Sequence, residues 1–487
     1  MRKIIFFILL LLTLLPEAVL ARPTLTLNEF IDTAVKNNPS YQVAAQDYII
    51  ALESDKGARS LDDWNLVSSG FWQGASPAPI SAFSASYQKS VGYSLGLEKY
   101  FSNTGTALQL KHGNTRVEAQ YPAAATAYNP ASPYYLSNLS LTISQPLLKN
   151  AFGLAAKNGL KMSAYSVDLA ELKLAKDWED FITNLKKEYL AWQKCHHNLS
   201  LYKEKVETVK DQLNLVKQQQ KYGLSEELDL VQLQQKATSY QILQEQAILA
   251  CEIQTIKIVQ MMRQENMATT TIEPADFTQS NPSLAEENAL PYLIDNSILK
   301  KTLNIIVAIQ TTNLETKKNN KLPDVNLVLQ AKPNAYTHNF SDSLSKIGSY
   351  SEYTVSVSAN QPIANNQALS AATQAEAEQQ KALKEGEAVM LNAKIGLASL
   401  YASLNGMDKM LNLSQQNIDL AKKQLALEKK KFNQGRNSIF FILQAEDTLL
   451  QAENNYIETL FARAEIINQI EAFTDRYLIE YKEVLKI

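Results

Sequence analysis

KYGLSEELDLVQLQQKATSYQ, Lys221 to Gln241, places one glycine inside what otherwise reads as a single long helix. KFNQGRNSIFFILQAEDTLLQ, Lys431 to Gln451, repeats the arrangement, with Gly435 where the first stretch has Gly223. The offset between the two glycines holds well beyond them: Tyr189 falls on Tyr401, Leu199 on Leu411, Val206 on Ile418 and Leu213 on Leu425. Nearer the start, Gln145-Pro146-Leu147 matches Gln361-Pro362-Ile363, and LDDWNLV from Leu61 matches LPDVNLV from Leu322. The matched blocks keep their order. The chain therefore reads as an internal duplication of a unit of roughly 200 residues, far longer than a solenoid repeat.

Within each copy a period is readable. Cys195, Leu199, Tyr202, Val206, Val209, Leu213 and Val216 step alternately by four and three. Leu411, Ser414, Ile418, Ala421, Leu425, Glu428 and Phe432 keep the same rhythm. Steps averaging about 3.5 are the spacing of a coiled-coil seam. After the first glycine the seam resumes at Leu230, Leu233, Ala237, Tyr240, Ala247 and Cys251, and after the second at Ile442, Ala445, Leu449, Ala452 and Tyr456. Lys, Glu, Gln and Asn fill most other positions, so these helices are apolar along one narrow stripe. Gly223 and Gly435 mark where a helix ends, reverses and restarts, because glycine accepts the left-handed backbone past a helix C-terminus. Ser225 and Ser438 stand where the next helix needs a cap, and Glu226 and Glu227 favour its positive end.

Strand-like segments lie between the helical blocks. In SVGYSLGLEKYF, Val91, Tyr93, Leu95, Leu97 and Lys99 share one face, while Ser90, Gly92, Ser94, Gly96 and Glu98 share the other. In YLSNLSLTISQ, Leu139, Leu141 and Ile143 alternate with Ser140, Thr142 and Ser144. One apolar face and one small polar face, in runs near ten residues, fit a transmembrane barrel strand and equally a half-buried soluble sheet. WNLVSSGFW and TALQLKHGNTRV add two more strands to the first copy, and Asn103-Thr104-Gly105 makes a tight turn. The second copy offers two, near NLVLQAKP and YTVSVSANQ. So few strands cannot close a barrel alone. Either several chains share one barrel, or the sheet is not a membrane barrel.

The N-terminus has the layout of a secretory signal: basic Arg2 and Lys3, the apolar run IIFFILLLLTLL, and Val19-Leu20-Ala21 as a cleavage site. No later apolar run reaches the roughly 20 residues of a membrane helix. A net charge of −3 argues against nucleic acid as a partner. The expected organisation is a signal peptide at 1–21 and a first repeat at 22–270, with β-hairpins about 62–146 and a helical hairpin turning near 223. A linker at 271–290 follows, rich in Thr, Pro, Asn and acid. The second repeat, 291–487, has its β-hairpin about 324–362 and turns near 435.

The duplicated order of helix, strands, Gln-Pro, long helix, glycine turn and long helix resembles the TolC-like outer-membrane efflux family, as do the turn motifs YGLSEELDLVQLQ and NQGRNSIFFILQAE. The resemblance covers nearly the whole mature chain. It implies a homotrimer in which three chains share one β-barrel in the outer-membrane lipid, continued by a periplasmic tunnel of antiparallel coiled-coil helices. The hairpin tips would meet a periplasmic adaptor protein and, directly or through it, an inner-membrane pump. It also implies no catalysis and no cofactor, since the pump supplies the energy. Family members typically carry two strands per repeat, twelve per trimer, and the extra hairpin of the first copy departs from that. The residue six after each turn glycine lines or braces the tunnel entrance and is often aspartate. Here it is Asp229 in the first copy but Phe441 in the second. The position nine after the second glycine, often acidic, is Gln444, and a tyrosine often found three before it is Phe432. Simple packing of the tip by Phe440 and Phe441 is the competing reading.

Cys195 precedes Gly223 by as many residues as Cys251 follows it. In a hairpin turning at that glycine both sit at one height and in phase with the seam, so a disulfide is expected in an oxidising compartment. Two free, buried thiols at offset rotations are the alternative. Cys195-His196-His197 resembles a metal cluster, but successive helix residues point about 100° apart and share one ion poorly. No phosphate loop or nucleophile motif is present in the sequence. The leading reading is therefore an exit duct for efflux or secretion. A periplasmic coiled-coil scaffold with a soluble β-sheet is the alternative, and a passive porin is disfavoured because two long helical hairpins serve no purpose in a simple pore.

Overall fold

The computed structural model describes residues 24–78, 80–129, 132–222, 225–263, 273–274 and 281–481. The expected signal peptide lies outside them, as does Gly223. The chain is mostly helical with one large sheet. In order it runs β1 (Thr24–Leu25), α1 (Leu27–Asn37), α2 (Pro39–Ala58), β2 (Trp64–Ala75), β3 (Tyr87–Phe101), β4 (Thr106–Gln120), β5 (Tyr134–Pro146), α3 (Leu154–Lys221) and α4 (Glu227–Met262). There follow β6 (Glu273–Pro274), α5 (Glu286–Asp295), α6 (Ile298–Asn319), β7 (Asp324–Thr337), α7 (Phe340–Ser345), β8 (Tyr350–Asn360), α8 (Asn366–Asn433), α9 (Ile439–Phe473) and α10 (Arg476–Glu480). Within the stretch read as a linker, β6 pairs in parallel with β1, and α5 begins at Glu286.

The described residues divide into two compact units. One holds residues up to 46, 173–300 and 389 onward. It contains α4, α5, α9, α10 and the later parts of α3 and α8. The two longest helices are both 68 residues, and each is followed by a partner of 36 or 35 residues. No proline interrupts any of the four, and glycine enters only at Gly159 of α3 and at Gly386, Gly396 and Gly406 of α8, where it costs less than proline would. Their narrow seams bury Val206, Val209, Val216, Leu233 and Tyr240 against Ile439, Ile442, Leu443 and Leu450. A second cluster packs Phe30 and Ile31 of α1 on Ile182, Leu185, Tyr189, Trp192, Ile258 and Met262. A third packs Ala289 and Leu293 of α5 on Leu397, Tyr401, Leu404, Ile467 and Ile470. Two tyrosines play matching parts. The Tyr189 hydroxyl donates to the Leu25 carbonyl at 2.8 Å, and the Tyr401 hydroxyl donates to the Leu284 carbonyl at 2.8 Å. Each ties a long helix to the residue just ahead of a short one.

The other unit, residues 47–172 and 301–388, carries the sheet. Its six strands are ordered β2-β3-β4-β5-β7-β8, and every neighbouring pair is antiparallel. The hairpin β3–β4 therefore lies inside the sheet, between β2 and β5. One face carries cross-strand rows of apolar residues. Leu66, Leu97, Leu110, Leu141, Ala331 and Tyr353 form one row; Trp64, Leu108, Ile143, Leu329 and Val355 form the next, interrupted by Lys99 on β3. The other face is polar. One of its rows reads Asn65, Glu98, Gln109, Thr142, Gln330 and Thr354, and here the Gln109 amide donates to Glu98 and the Gln330 amide to the Thr142 hydroxyl at 3.2 Å. The apolar face is the more exposed. Leu66 is 69% accessible and Val355 74%, whereas Ser90 and Gly96 on the polar face of β3 are buried. Only at one end is the apolar face covered by another described element: α7 packs Phe340 on Tyr135, and Ser343 accepts from the Asn114 amide at 2.8 Å.

The β3–β4 turn is locked to its neighbours. Asp62 accepts from the Ser102 amide at 2.8 Å and from its hydroxyl at 2.6 Å. The Thr106 hydroxyl donates to Gln145, whose amide donates to the Thr104 carbonyl at 3.0 Å. Gly105 and Gly153 both have left-handed backbones, φ 74° and 68°, and meet backbone to backbone. A Cβ on Gly153 would overlap the Ser102 carbonyl oxygen. Gly153→Ala should therefore destabilise the protein by at least the roughly 1–2 kcal/mol that a left-handed alanine costs, and the clash adds to it. A lowered thermal unfolding midpoint is the expected readout, and an unchanged midpoint would contradict the close contact.

Candidate functional site

The described residues at the two hairpin turns are bonded in different ways. At the second turn, α8 runs out at Asn433 and Gly435 takes the left-handed conformation, φ 66°. The Gly435 amide donates to the Phe432 carbonyl at 2.8 Å and the Arg436 amide to the Lys431 carbonyl at 3.0 Å. These paired bonds satisfy the last carbonyls of the helix, as a Schellman motif does. At the first turn, Asp229 accepts from the Glu226 amide at 3.3 Å and from the Ser225 hydroxyl at 3.1 Å. Glu226, not Ser225, stands at the N-cap of α4. Ser438 holds the N-cap position of α9, but its hydroxyl makes no capping bond. A carboxylate outranks a hydroxyl beside exposed helix amides because it also meets the positive end of the dipole.

Asp229 is thus half-buried in the first turn of its helix, where it braces the chain reversal. Phe441 is exposed, stacked edge-to-face on Phe440 at 5.6 Å between ring centres. Ile439 and Ile442 turn into the seam instead, because residues three apart share a helix face and the two phenylalanines fall between them. Gln444 is exposed and lines a groove with Gln235, Lys236, Ser239, Phe440 and Asp447. Tyr222, Leu228 and Val231 are exposed as well. The turn regions of otherwise polar helices thus present apolar side chains to solvent, a feature of partner-binding surfaces.

Behind the turns, charges cross between hairpins. Lys205 pairs with Glu453 at 2.5 Å and Lys236 with Asp447; Glu446 takes the Gln212 amide across the same divide and, within its own hairpin, Lys429 at 3.4 Å. Lys236 also lies 4.6 Å over the Tyr240 ring. Burial, with Glu446 nearby, pushes the Tyr240 phenol above its ordinary range, and burial draws the Lys236 ammonium below its own. None of these pairings is readable from the seam pattern, which shows only which face is apolar.

At the other end of the same unit, Glu179 is fully buried. Its carboxylate accepts from the Tyr477 amide at 3.3 Å and the Leu478 amide at 3.1 Å, and so fixes α10. Lys186, also buried, pairs with Glu480 at 3.1 Å and lies 4.0 Å over the Tyr477 ring. Burial, helped by Asp475, raises the Glu179 carboxyl from 4.5 to about 8, while burial lowers Lys186. A carboxyl that titrates higher in the folded chain holds its proton better when folded. Its contribution to stability is therefore complete below pH 4.5 and is lost as pH climbs to about 8. Glu179→Gln should flatten stability across that window. An unchanged pH slope in denaturant titrations would remove Glu179 as its source.

Cys195 and Cys251 are brought together on facing helices as a disulfide pair, Cα atoms 5.3 Å apart and both side chains buried. The Trp192 indole above them donates to the Thr255 hydroxyl at 2.9 Å. Cys195, His196 and Cys251 place one donor atom each within 4.8 Å of one another. That set has the chemistry of a soft-metal site only while the sulfurs are separate thiolates. His197 turns away and meets the Phe461 ring at 5.4 Å. Bridging closes a loop with a sequence separation of 56, which on the chain-entropy model stabilises by about 4 kcal/mol. Alkylation in denaturant should modify neither cysteine before reduction and both after it. Two modified cysteines before reduction would refute the bridge.

Among the described residues no helix is long and apolar enough to cross a membrane. The sequence profile of the family "Outer membrane efflux protein" matches residues 311–474. No curated protein sequence matches the chain. Solved structures share the fold. The outer membrane protein VceC from the pathogen Vibrio cholerae superposes with a TM-score of 0.68 at 14% identity, over 92% of this chain and 96% of that one. A membrane protein from Pseudomonas aeruginosa gives 0.68 at 14% identity, over 92% and 90%. The CmeC outer membrane channel from Campylobacter jejuni gives 0.66 at 14% identity, over 94% and 89%. The chain thus carries the sequence signature of the outer membrane efflux protein family in its second half, and the fold of outer-membrane channels over nine-tenths of its length.

Proposed function

We propose that this chain is one third of a homotrimeric outer-membrane duct, the exit stage of a tripartite efflux or type I secretion system. One observation carries the reading: the six-stranded sheet is apolar on its exposed face and polar on the other, and both its edges, β2 and β8, are open. A soluble sheet turns its apolar face to a core. A strand in lipid does the reverse and must pair at both edges, because hydrocarbon offers its amides no partner. Trp64 and Trp72 share the apolar face of β2. At the rise of an extended strand they stand about 27 Å apart, or about 21 Å along the barrel axis at a tilt of about 40°, near the roughly 25 Å height of an apolar band with aromatic girdles. The alternative, a periplasmic scaffold with a soluble sheet, leaves the Leu66-Leu97-Leu110-Leu141 row without a use.

The chain is two copies of one unit in this reading. The equal lengths of α3 and α8 and the matching bonds of Tyr189 and Tyr401 support it. The helical hairpins reach into the periplasm. Their turns, with Tyr222, Leu228, Phe440 and Phe441 exposed, meet an adaptor protein and through it an inner-membrane pump. Asp229 and Phe441 stand near the entrance, and Phe441 and Gln444 make it poorer in charge than two acids would. The duct catalyses nothing and needs no cofactor. Detergent extracts of the outer-membrane fraction should yield a particle about three times the 54.4 kDa chain. A stable monomer released by carbonate washing would sink the proposal and favour the scaffold.

A further inference from the structure

We infer that the barrel this chain builds with its copies has eighteen strands, because the β3–β4 hairpin is a full member of the wall. The inference rests on the trimeric duct proposed above, but it concerns the width of the outlet. Three copies of a six-stranded sheet give eighteen strands, and three copies without this hairpin would give twelve.

The hairpin is not a loop laid beside a sheet. β3 pairs with β2 from Trp64↔Lys99 to Ala75↔Gln88, and β4 pairs with β5 from Ala107↔Ser144 to Val117↔Tyr134. β2 and β5 share no bond with each other, so the hairpin is what joins β2 to the rest of the sheet. The alternation is also continuous through it. Leu97 and Leu110 extend the apolar row from Leu66 to Leu141, and Ser94 and Gly113 extend the polar row from Ser69 to Asn138 and Asn334. A one-residue slip would have put the hairpin's leucines on the polar side. Its turn is bonded to Asp62 on one flank and Gln145 on the other.

The edges suit a second copy of the same chain. β2 has 12 residues and β8 has 11. In a sheet of six alternating strands β2 and β8 run in opposite directions. β8 of one copy therefore meets β2 of the next antiparallel, and the same join repeated closes a ring. β8 is exposed along nearly its whole length, and Tyr353, Val355 and Val357 stand uncovered on the apolar face beside the edge that the join would fill.

Strands about 4.8 Å apart and tilted about 40° put eighteen on a circle about 36 Å across, backbone to backbone, against about 24 Å for twelve. Side chains of the polar face narrow both by about 10 Å. The wider lumen passes two α-helices side by side, each about 10–12 Å thick, and the narrower passes one. The outlet thus suits partly folded polypeptide as well as small molecules.

Electron cryo-microscopy of the full-length protein in lipid nanodiscs tests this directly. The expected image is a trimer with eighteen strands and a barrel about 1.5-fold wider than a twelve-stranded one. Cysteine labelling in vesicles gives a second readout. Leu97→Cys should react only with a bilayer-soluble maleimide, as Leu141→Cys on β5 should, while Ser94→Cys should react with a membrane-impermeant one. A twelve-stranded trimer, with Leu97→Cys open to the impermeant reagent and Leu141→Cys shielded, would overturn the eighteen-strand wall and leave the duct standing. If Leu141→Cys is also open to water, both ideas fall together.

Discussion

A β-strand edge is a row of unpaired amides and carbonyls, and this chain has two such rows flanking a sheet whose apolar side is uncovered for most of its length. Among the described residues nothing pairs with either edge, and no helix covers most of the apolar face. Burying Leu66 or Val355 under a helix would need an apolar helix face, and the long helices have only a seam, which they use on each other. In the duct proposed above, lipid on one face and further copies at the edges would meet the sheet's needs together. Membrane placement, oligomerisation and a polar interior are thus aspects of one requirement on backbone hydrogen bonding.

The helical unit obeys a different logic. Its helices are too polar for a conventional core, so they bury a stripe and supplement it with specific cross-links. Lys205–Glu453 and Lys236–Asp447 join one hairpin to the other, the Cys195–Cys251 pair joins the arms of one hairpin, and Glu179 fixes the closing turn of α10. Burial makes several of these groups costly, as the raised Glu179 and lowered Lys186 show. What they supply is register along helices whose seams would otherwise allow sliding by a heptad.

Much of this was legible in residue order, for local reasons. A seam period of three and four, the glycine at the second reversal and alternation in the strands all follow from backbone geometry within a few residues. Even the cysteine pairing, a long-range contact, was readable because a hairpin turns equal sequence distances into equal heights. What was not readable depends on partners far away in the chain. The joining of the β2-β3-β4-β5 meander to β7–β8 depends on β5 pairing with β7 across the whole intervening stretch of helix and linker. The capping of α4 by Glu226 and Asp229 in preference to Ser225 depends on a competition between acceptors that spacing alone does not rank. The burial of Glu179 is set by α10, near the far end of the chain, and its sequence neighbours Trp178 and Asp180 carry no sign of it.

The position of the Cys195–Cys251 pair divides its hairpin mechanically. From the pair to the turn the two arms are equal in sequence length, each roughly 40 Å of helix at the ordinary rise per residue. At the pair the two helices cannot slide past one another, and between it and the turn nothing covalent prevents them. Along that stretch the arms are held by the seam and by ion pairs such as Lys205–Glu453 and Lys236–Asp447, contacts that can break and re-form where a covalent bond cannot. A widening at the turn can be absorbed as gentle curvature along these arms, while the helices on the far side of the pair hold still.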